Sequence, residues 1–148
     1  LVKALKYGGR LECAPALAGL LGAALAGRPV PDVVVPLPLS RARSRSRGFN
    51  QSVEIARALP AALAHRVDDG LLERILDAGP QAALPLEGRA ANVRGAFHAT
   101  RALDGLRVAV LDDVMTTGAT LHEATRALQA AGAREVTAWI VARALRAS

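Results

Sequence analysis

Aromatic side chains are nearly missing from this 148-residue sequence, which holds two Phe, one Tyr and one Trp, 3% in all. Its core must therefore be built from Ala, Leu and Val, which dominate the 51% apolar content. The length fits one domain with a real core of its own. Cysteine occurs once, at Cys13, which excludes an internal disulfide and a cysteine-rich zinc site. No apolar run reaches the ~18 residues of a membrane span. Nor does a basic stretch followed by an apolar block and a cleavage site mark a secretory signal. A cytoplasmic location is the default expectation. Lysine is confined to Lys3 and Lys6, so arginine carries the excess of 19 basic over 13 acidic residues and the net charge of +6. A basic surface suits polyanionic ligands or nucleic acid. Arginine in place of lysine, with so much alanine, is equally what a GC-rich genome produces. The histidines His65, His98 and His122 have no metal-ligand spacing and read as surface or edge-strand residues.

What is present is concentrated in Val108–Leu121, VAVLDDVMTTGATL. Small apolar residues from Val108 to Leu111 predict a buried strand, with Asp112 and Asp113 where that strand should end. A hydroxyl-rich turn follows, Met115, Thr116, Thr117, Gly118, Ala119 and Thr120. Leu121 then opens a helical pattern through Ala124, Leu128 and Ala131. In an open α/β sheet, ligands bind at the carboxyl ends of the strands. A helix start offers free N–H groups and a positive dipole end to a phosphate. The turn thus predicts a phosphate site, with two carboxylates beside it for sugar hydroxyls or a metal.

Strand and helix signals alternate along the rest of the chain. Leu11–Ala26 predicts a largely buried helix stopped by Gly27, and Asp32–Leu37 a short buried strand ended by Pro36 and Pro38. Ser40–Asn50 places Arg41, Arg43, Arg45 and Arg47 at alternate positions. That spacing prevents a single helical face and predicts a loop, with Gly48 in a tight turn and Phe49 as an anchor. Asn50 or Ser52 would cap a helix over Val53–Leu63. Asp68-Asp69-Gly70 is a turn, and Leu71–Leu76 and Ala96–Ala99 are short strand candidates. Asp77–Arg89, with two prolines and two glycines, reads as a long loop, either a functional lid or a plain surface excursion. Arg89–Arg94 predicts one helical turn with Asn92 inward. Asp104-Gly105 is a turn before the signature strand. Gly132 ends the signature helix, and Arg134–Val141 alternates as a strand. Repeated strand–helix–strand units predict an α/β fold with a parallel sheet.

Three blocks carry a family resemblance. Asp112-Asp113, two variable residues and the T-T-G-x-T loop resemble the phosphoribosyl pyrophosphate (PRPP) signature of type I phosphoribosyltransferases. Pro36–Gln51, PLPLSRARSRSRGFNQ, is similar to the P-x-P-L and R-x-x-x-R-G-F-N-Q pattern of their ComF/GntX-like branch. Gln81, Arg89, Asn92 and Phe97 match its Q-x-x-L, R-x-x-N, F block. Ala119 stands where many type I enzymes have a second glycine, as ComF-like sequences often do.

The resemblance implies a Rossmann-like type I phosphoribosyltransferase fold, a mostly parallel central sheet flanked by helices. It implies PRPP as ligand with Mg²⁺ as cofactor, held through substrate and water rather than by direct protein ligands, and phosphoribosyl transfer to an acceptor that no residue here specifies. Thr116, Thr117, Gly118, Ala119 and Thr120 would hold the 5′-phosphate. Asp112 and Asp113 would serve the ribose, and Arg43 and Arg47 the pyrophosphate. Arg89 would join the catalytic set, and with Gln81 would reach inward from a closing loop. The alternative implied by competence proteins is a non-catalytic DNA-uptake protein that uses the fold as a ligand sensor or DNA-binding scaffold. Its partners would be single-stranded DNA or the uptake machinery, with the arginine segment as an RNA- or DNA-binding arm. A homodimer is left open as a further partner arrangement. ComF-like proteins usually carry an N-terminal four-cysteine zinc ribbon, and LVKALKYGGR resembles the segment just after it. The whole of residues 1–148 is therefore expected to be one phosphoribosyltransferase-like domain, a fragment lacking that ribbon.

Overall fold

The computed structural model describes residues 2–75, 93–115 and 117–143. Its centre is a parallel sheet of β1 (Val33–Pro36), β4 (Arg107–Met115) and β5 (Glu135–Arg143), in the order β1-β4-β5. Val33 lies opposite Val108 and Leu111 opposite Trp139, which places β4 in the middle. A separate antiparallel pair joins β2 (Leu72–Arg74) to β3 (Phe97–Ala99).

Side chains alternate across a strand, and here both sets are apolar. Val33, Val35, Val108 and Val110 face one side. They pack there under α6 (Ala119–Ala130) through its Leu121, Ala124 and Leu128, and against Leu72 and Phe97 of the small sheet. Val34, Ala109, Leu111 and Trp139 face the other side. They are covered by α1 (Val2–Gly8), α2 (Cys13–Leu25) and α4 (Gln51–Arg57) through Leu5, Leu17, Leu21 and Ile55. A sheet buried on both faces is the usual environment of parallel strands, and it explains why β1 reads as an unbroken VVV run.

Asp32 fixes the register of β1 against β4 at their amino ends. Its carboxylate accepts the Arg107 backbone N–H at 2.8 Å, and its own N–H donates to the Arg107 carbonyl at 2.8 Å. That backbone donor first, and the Arg107 guanidinium second, hold the Asp32 carboxyl below its usual range.

Several expectations change. Helix α2 is not largely buried: Cys13, Ala14, Leu17, Ala18 and Leu21 form one inward face, while Leu20 is 64% exposed. Ser40–Asn50 is not a loop but a helix, α3 (Arg41–Arg47). The Ser40 hydroxyl accepts the Arg43 N–H, and Gly48 ends the helix in the left-handed region at φ 72°. Alternation of arginines does not forbid a helix; it sorts them into two i,i+4 pairs. Arg41 and Arg45 are exposed and Arg43 and Arg47 are half-buried. The helix expected over Val53–Leu63 starts at Gln51, and Pro60 separates it from the short α5 (Ala61–Ala64). The strand expected to end at Leu111 runs on through both aspartates to Met115. The Asp77–Arg89 loop, with Gln81 and Arg89, lies outside the described residues, as do Asn92 and Thr116.

Candidate functional site

The carboxyl ends of β1 and β4 are neighbours, because Pro36 pairs with Leu111 and the Leu37 N–H donates to the Leu111 carbonyl at 2.9 Å. Each strand is followed by a turn and a helix. After β1 comes α3, which brings Arg43 and Arg47 to this end of the sheet. After β4 comes the Thr117–Thr120 turn and the start of α6.

The aspartates part company. A strand reverses its side chains at every residue. Asp112 therefore shares the α6 face with Val108 and Val110, whereas Asp113 shares the α4 face with Ala109 and Leu111. Asp112 is half-buried, and its carboxylate accepts the Asp113 N–H at 2.8 Å. Asp113 is 5% exposed and accepts a hydrogen bond from the Gln51 side-chain amide at 3.0 Å. The expected pair of carboxylates side by side at a strand end is thus replaced by one carboxylate on each face. The reason is that the sheet continues past Leu111.

Gln51 had no role assigned from sequence, although it closes the RGFNQ block. It is 2% exposed, and its Oε1 is buried without a partner among the described residues. It opens α4 directly after the arginine helix, so its bond to Asp113 ties that helix to the central strand. Asn50 strengthens the tie. Its Oδ1 accepts the Ser52 N–H at 2.9 Å as an N-cap, and its Nδ2 donates to the Leu37 carbonyl at 3.0 Å. The available signal was a run of three polar residues, Asn50, Gln51 and Ser52, opening a helix whose Ile55 and Ala56 are buried. Arg47, at the end of α3, has its Nη1 buried and making no hydrogen bond among the described residues.

The turn after β4 is built differently. Gly118 caps α6 at φ 81°, a left-handed conformation that costs other residues about 1–2 kcal/mol. A side chain there would still have room, since a Cβ would lie 3.6 Å from the Met115 sulfur; the backbone angle is what calls for glycine. The Ala119 N–H reaches the Thr117 hydroxyl at a long 3.4 Å. The first amides of a helix have no acceptor within the helix itself. Exposed Thr117 and half-buried Thr120 lie at the amino end of α6. In the second turn of α6, Glu123 accepts the Gly95 N–H at 3.1 Å and pairs with Arg126 at 3.2 Å. Those contacts, the Gly95 donor first, lower its carboxyl below the usual value. Sequence reasoning missed this link, because Glu123 and Gly95 are far apart in the chain.

His65, His98 and His122 are exposed. Among the described residues no group of three or more His, Cys, Asp or Glu could hold a metal by itself. No described helix is long and apolar enough to cross a membrane.

Comparison with known proteins places this geometry. Residues 14–147 match the phosphoribosyl transferase domain family. The chain is similar to DNA utilization protein YhgH of Salmonella typhi, 35% identical over 98% of this chain and 66% of the relative. It is also similar to that of Escherichia coli K12, 32% identical over the same shares. Competence protein F of Haemophilus influenzae is 31% identical over 78% of this chain and 52% of its own length. The chain thus spans about two-thirds, or less, of these relatives. Among solved structures, the allosteric regulatory enzyme of purine biosynthesis superposes with a TM-score of 0.50 at 25% identity, covering 86% of this chain and 25% of that one. Glutamine PRPP amidotransferase of B. subtilis, complexed with ADP and GMP, superposes with a TM-score of 0.55 at 22% identity, covering 88% and 26%.

Proposed function

Since this chain belongs to the phosphoribosyl transferase domain family, in its ComF-like branch, we propose that it binds PRPP with magnesium at the carboxyl ends of β1 and β4, and that it transfers the phosphoribosyl group to an acceptor. The observation that carries this reading is the pairing of two unlike anion sites on adjacent strands. One is the glycine-capped start of α6, and the other is the inward Arg43/Arg47 face of α3.

The amides and hydroxyls of the Thr117–Thr120 turn hold the 5′-phosphate, which a helix amino end favours by its dipole. Asp112, on the same face as α6, accepts hydrogen bonds from the ribose hydroxyls and favours cationic character on the ring as the anomeric bond breaks. Arg43 and Arg47 receive the pyrophosphate, since guanidinium forks match phosphate oxygens in pairs. The unpartnered Nη1 of Arg47 supports that assignment. Asp113 acts through Gln51, as a positioning residue for the arginine helix. Thr116 and Arg89 join this scheme by resemblance alone. The protein's contribution to catalysis is orientation and fixed charge.

Magnesium takes hard oxygen ligands and keeps many of them as water or substrate phosphate. The half-buried Asp112 carboxylate is a donor of the right kind. When bound, the ion supplies positive charge to the pyrophosphate.

Calorimetry with PRPP and Mg²⁺ tests the reading. Binding in the micromolar range or tighter is expected, in line with metabolite sites, and Asp112→Asn should weaken it with thermal stability unchanged. No heat with the unaltered chain overturns the ligand assignment. A screen of acceptors for pyrophosphate release then separates transfer from sensing.

A second reading is favoured by the outward pair Arg41 and Arg45, both exposed, and by the names of the relatives, DNA utilization and competence proteins. In it, the same helix presents its outer face to single-stranded DNA. Salt-dependent binding lost on Arg41→Ala/Arg45→Ala supports it, and DNA binding indifferent to those changes removes it.

A further inference from the structure

Strand β5 lies at the end of the sheet, so among the described residues β4 covers one of its sides and no strand covers the other. Its nine residues, EVTAWIVAR, contain no Pro or Lys, and their only charges stand at the two ends. Proline and lysine are usual devices that blunt an exposed edge, and an edge without them presents a row of N–H and C=O groups ready to pair with another chain. At roughly 3.3 Å per residue, this edge is about 30 Å long.

A groove of about 500 Å³ runs between α2 and β5. Its apolar lining includes Leu21, Leu25, Trp139 and Val30, which is 43% exposed, and Arg28, Arg107, Arg134 and Glu135 add charge to it. It lies towards the amino ends of the strands, away from the candidate PRPP site.

We infer that β5 pairs with β5 of a second copy of this chain, antiparallel about a two-fold axis through Trp139. The charge pattern selects both the occupant and the register. Antiparallel pairing about a perpendicular two-fold keeps each face of the sheet on its own side. Residues opposite one another must therefore have the same parity. With Trp139 opposite Trp139, Glu135 meets Arg143 of the second copy at both ends of the ladder. Between them Val136 meets Ala142, Thr137 meets Val141 and Ala138 meets Ile140, with no charge inside. Sliding the register by one allowed step sets Glu135 opposite Val141 or Thr137 opposite Arg143, and both ion pairs are lost. Opposite charges directly across a ladder stabilise it and like charges oppose it. The two-fold also brings both α2 helices to one face of the extended sheet, flanking the tryptophan seam, where each groove faces the other copy. This arrangement does not depend on the ligand reading.

Sedimentation equilibrium of the 148-residue chain tests it. A dimer that dissociates on dilution is expected. Glu135→Arg and Arg143→Glu, each checked for folding by circular dichroism, should weaken self-association by about tenfold or more, because both end pairs become like-charged. An equimolar mixture of the two variants should recover dimers, since every end pair in a mixed dimer again joins opposite charges. A chain that stays monomeric at all concentrations overturns the inference. So does a dimer that ignores the reversals, or one that the mixture fails to restore.

Discussion

The segments that follow β1 and β4 stand side by side at the same end of the sheet, yet they are stabilised in opposite ways. The segment after β1 is stitched to the body by side chains: Ser40 caps α3, Asn50 caps α4 and reaches the Leu37 carbonyl, and Gln51 is anchored on Asp113. The segment after β4 is held mainly by backbone, through a left-handed Gly118 and the helix it opens, with one long hydroxyl contact from Thr117. Long, flexible arginines need a fixed platform if their charge is to be aimed. A phosphate cradle needs amides and hydroxyls whose hydrogen bonds have not already been used. One region is preorganised by being satisfied, and the other is receptive by being left partly open.

Changes that unpick the stitched segment should therefore cost stability first, and changes to the open turn should cost ligand first. The largest effect is expected at the Gln51–Asp113 contact. Asp113→Leu strands a buried amide and should destabilise by about 1–3 kcal/mol, as should Gln51→Leu, while the double replacement should recover much of the loss. Urea denaturation of all four proteins measures the coupling, and additive losses would show that the bond ties nothing. Asn50→Ala removes a cap together with the Leu37 tether and should cost about 1–2 kcal/mol in the same assay. Gly118→Ala forces alanine into a left-handed backbone at about 1–2 kcal/mol; the turn either holds or relaxes, and inorganic phosphate affinity should fall more than the melting temperature. The smallest effect is at Glu123, whose folded carboxyl is lowered by the Gly95 N–H. The stability it contributes is complete above the ordinary carboxylate range and is lost as pH falls through the lowered value. Glu123→Gln should lose that small contribution at neutral pH, leave stability below the lowered value unaffected, and so flatten the acid limb of a stability–pH curve.

Much of this comparison was legible in the sequence. The apolar run before Asp112, the Thr117-Gly118 turn, the helical spacing of Leu121, Ala124 and Leu128, and the Asn50 cap are local patterns that all form, although the strand runs on to Met115 and both helices start two residues early, at Ala119 and Gln51. The inward pairing of Arg43 with Arg47 was marked only by resemblance, because residue alternation was read as a loop signal when a helix simply sorts such residues by fours. The parting of Asp112 from Asp113 was not legible. It depends on how far β5 continues beside β4, out to Met115 opposite Arg143, and a strand's end is set by its neighbour rather than by its own residues. Gln51 escaped for a related reason: its partner lies 62 residues away, and only the parallel pairing of β1 with β4 brings them together.

The central claim is that the two neighbouring segments hold different halves of one ligand. Titrating ribose 5-phosphate and metal-free pyrophosphate separately into Asp112→Asn and Arg43→Ala/Arg47→Ala tests it most directly. Asp112→Asn should lose ribose 5-phosphate and keep pyrophosphate, and the arginine variant should do the reverse. Parallel losses of both ligands in either variant, or no loss in both, would contradict a site divided between the two strands.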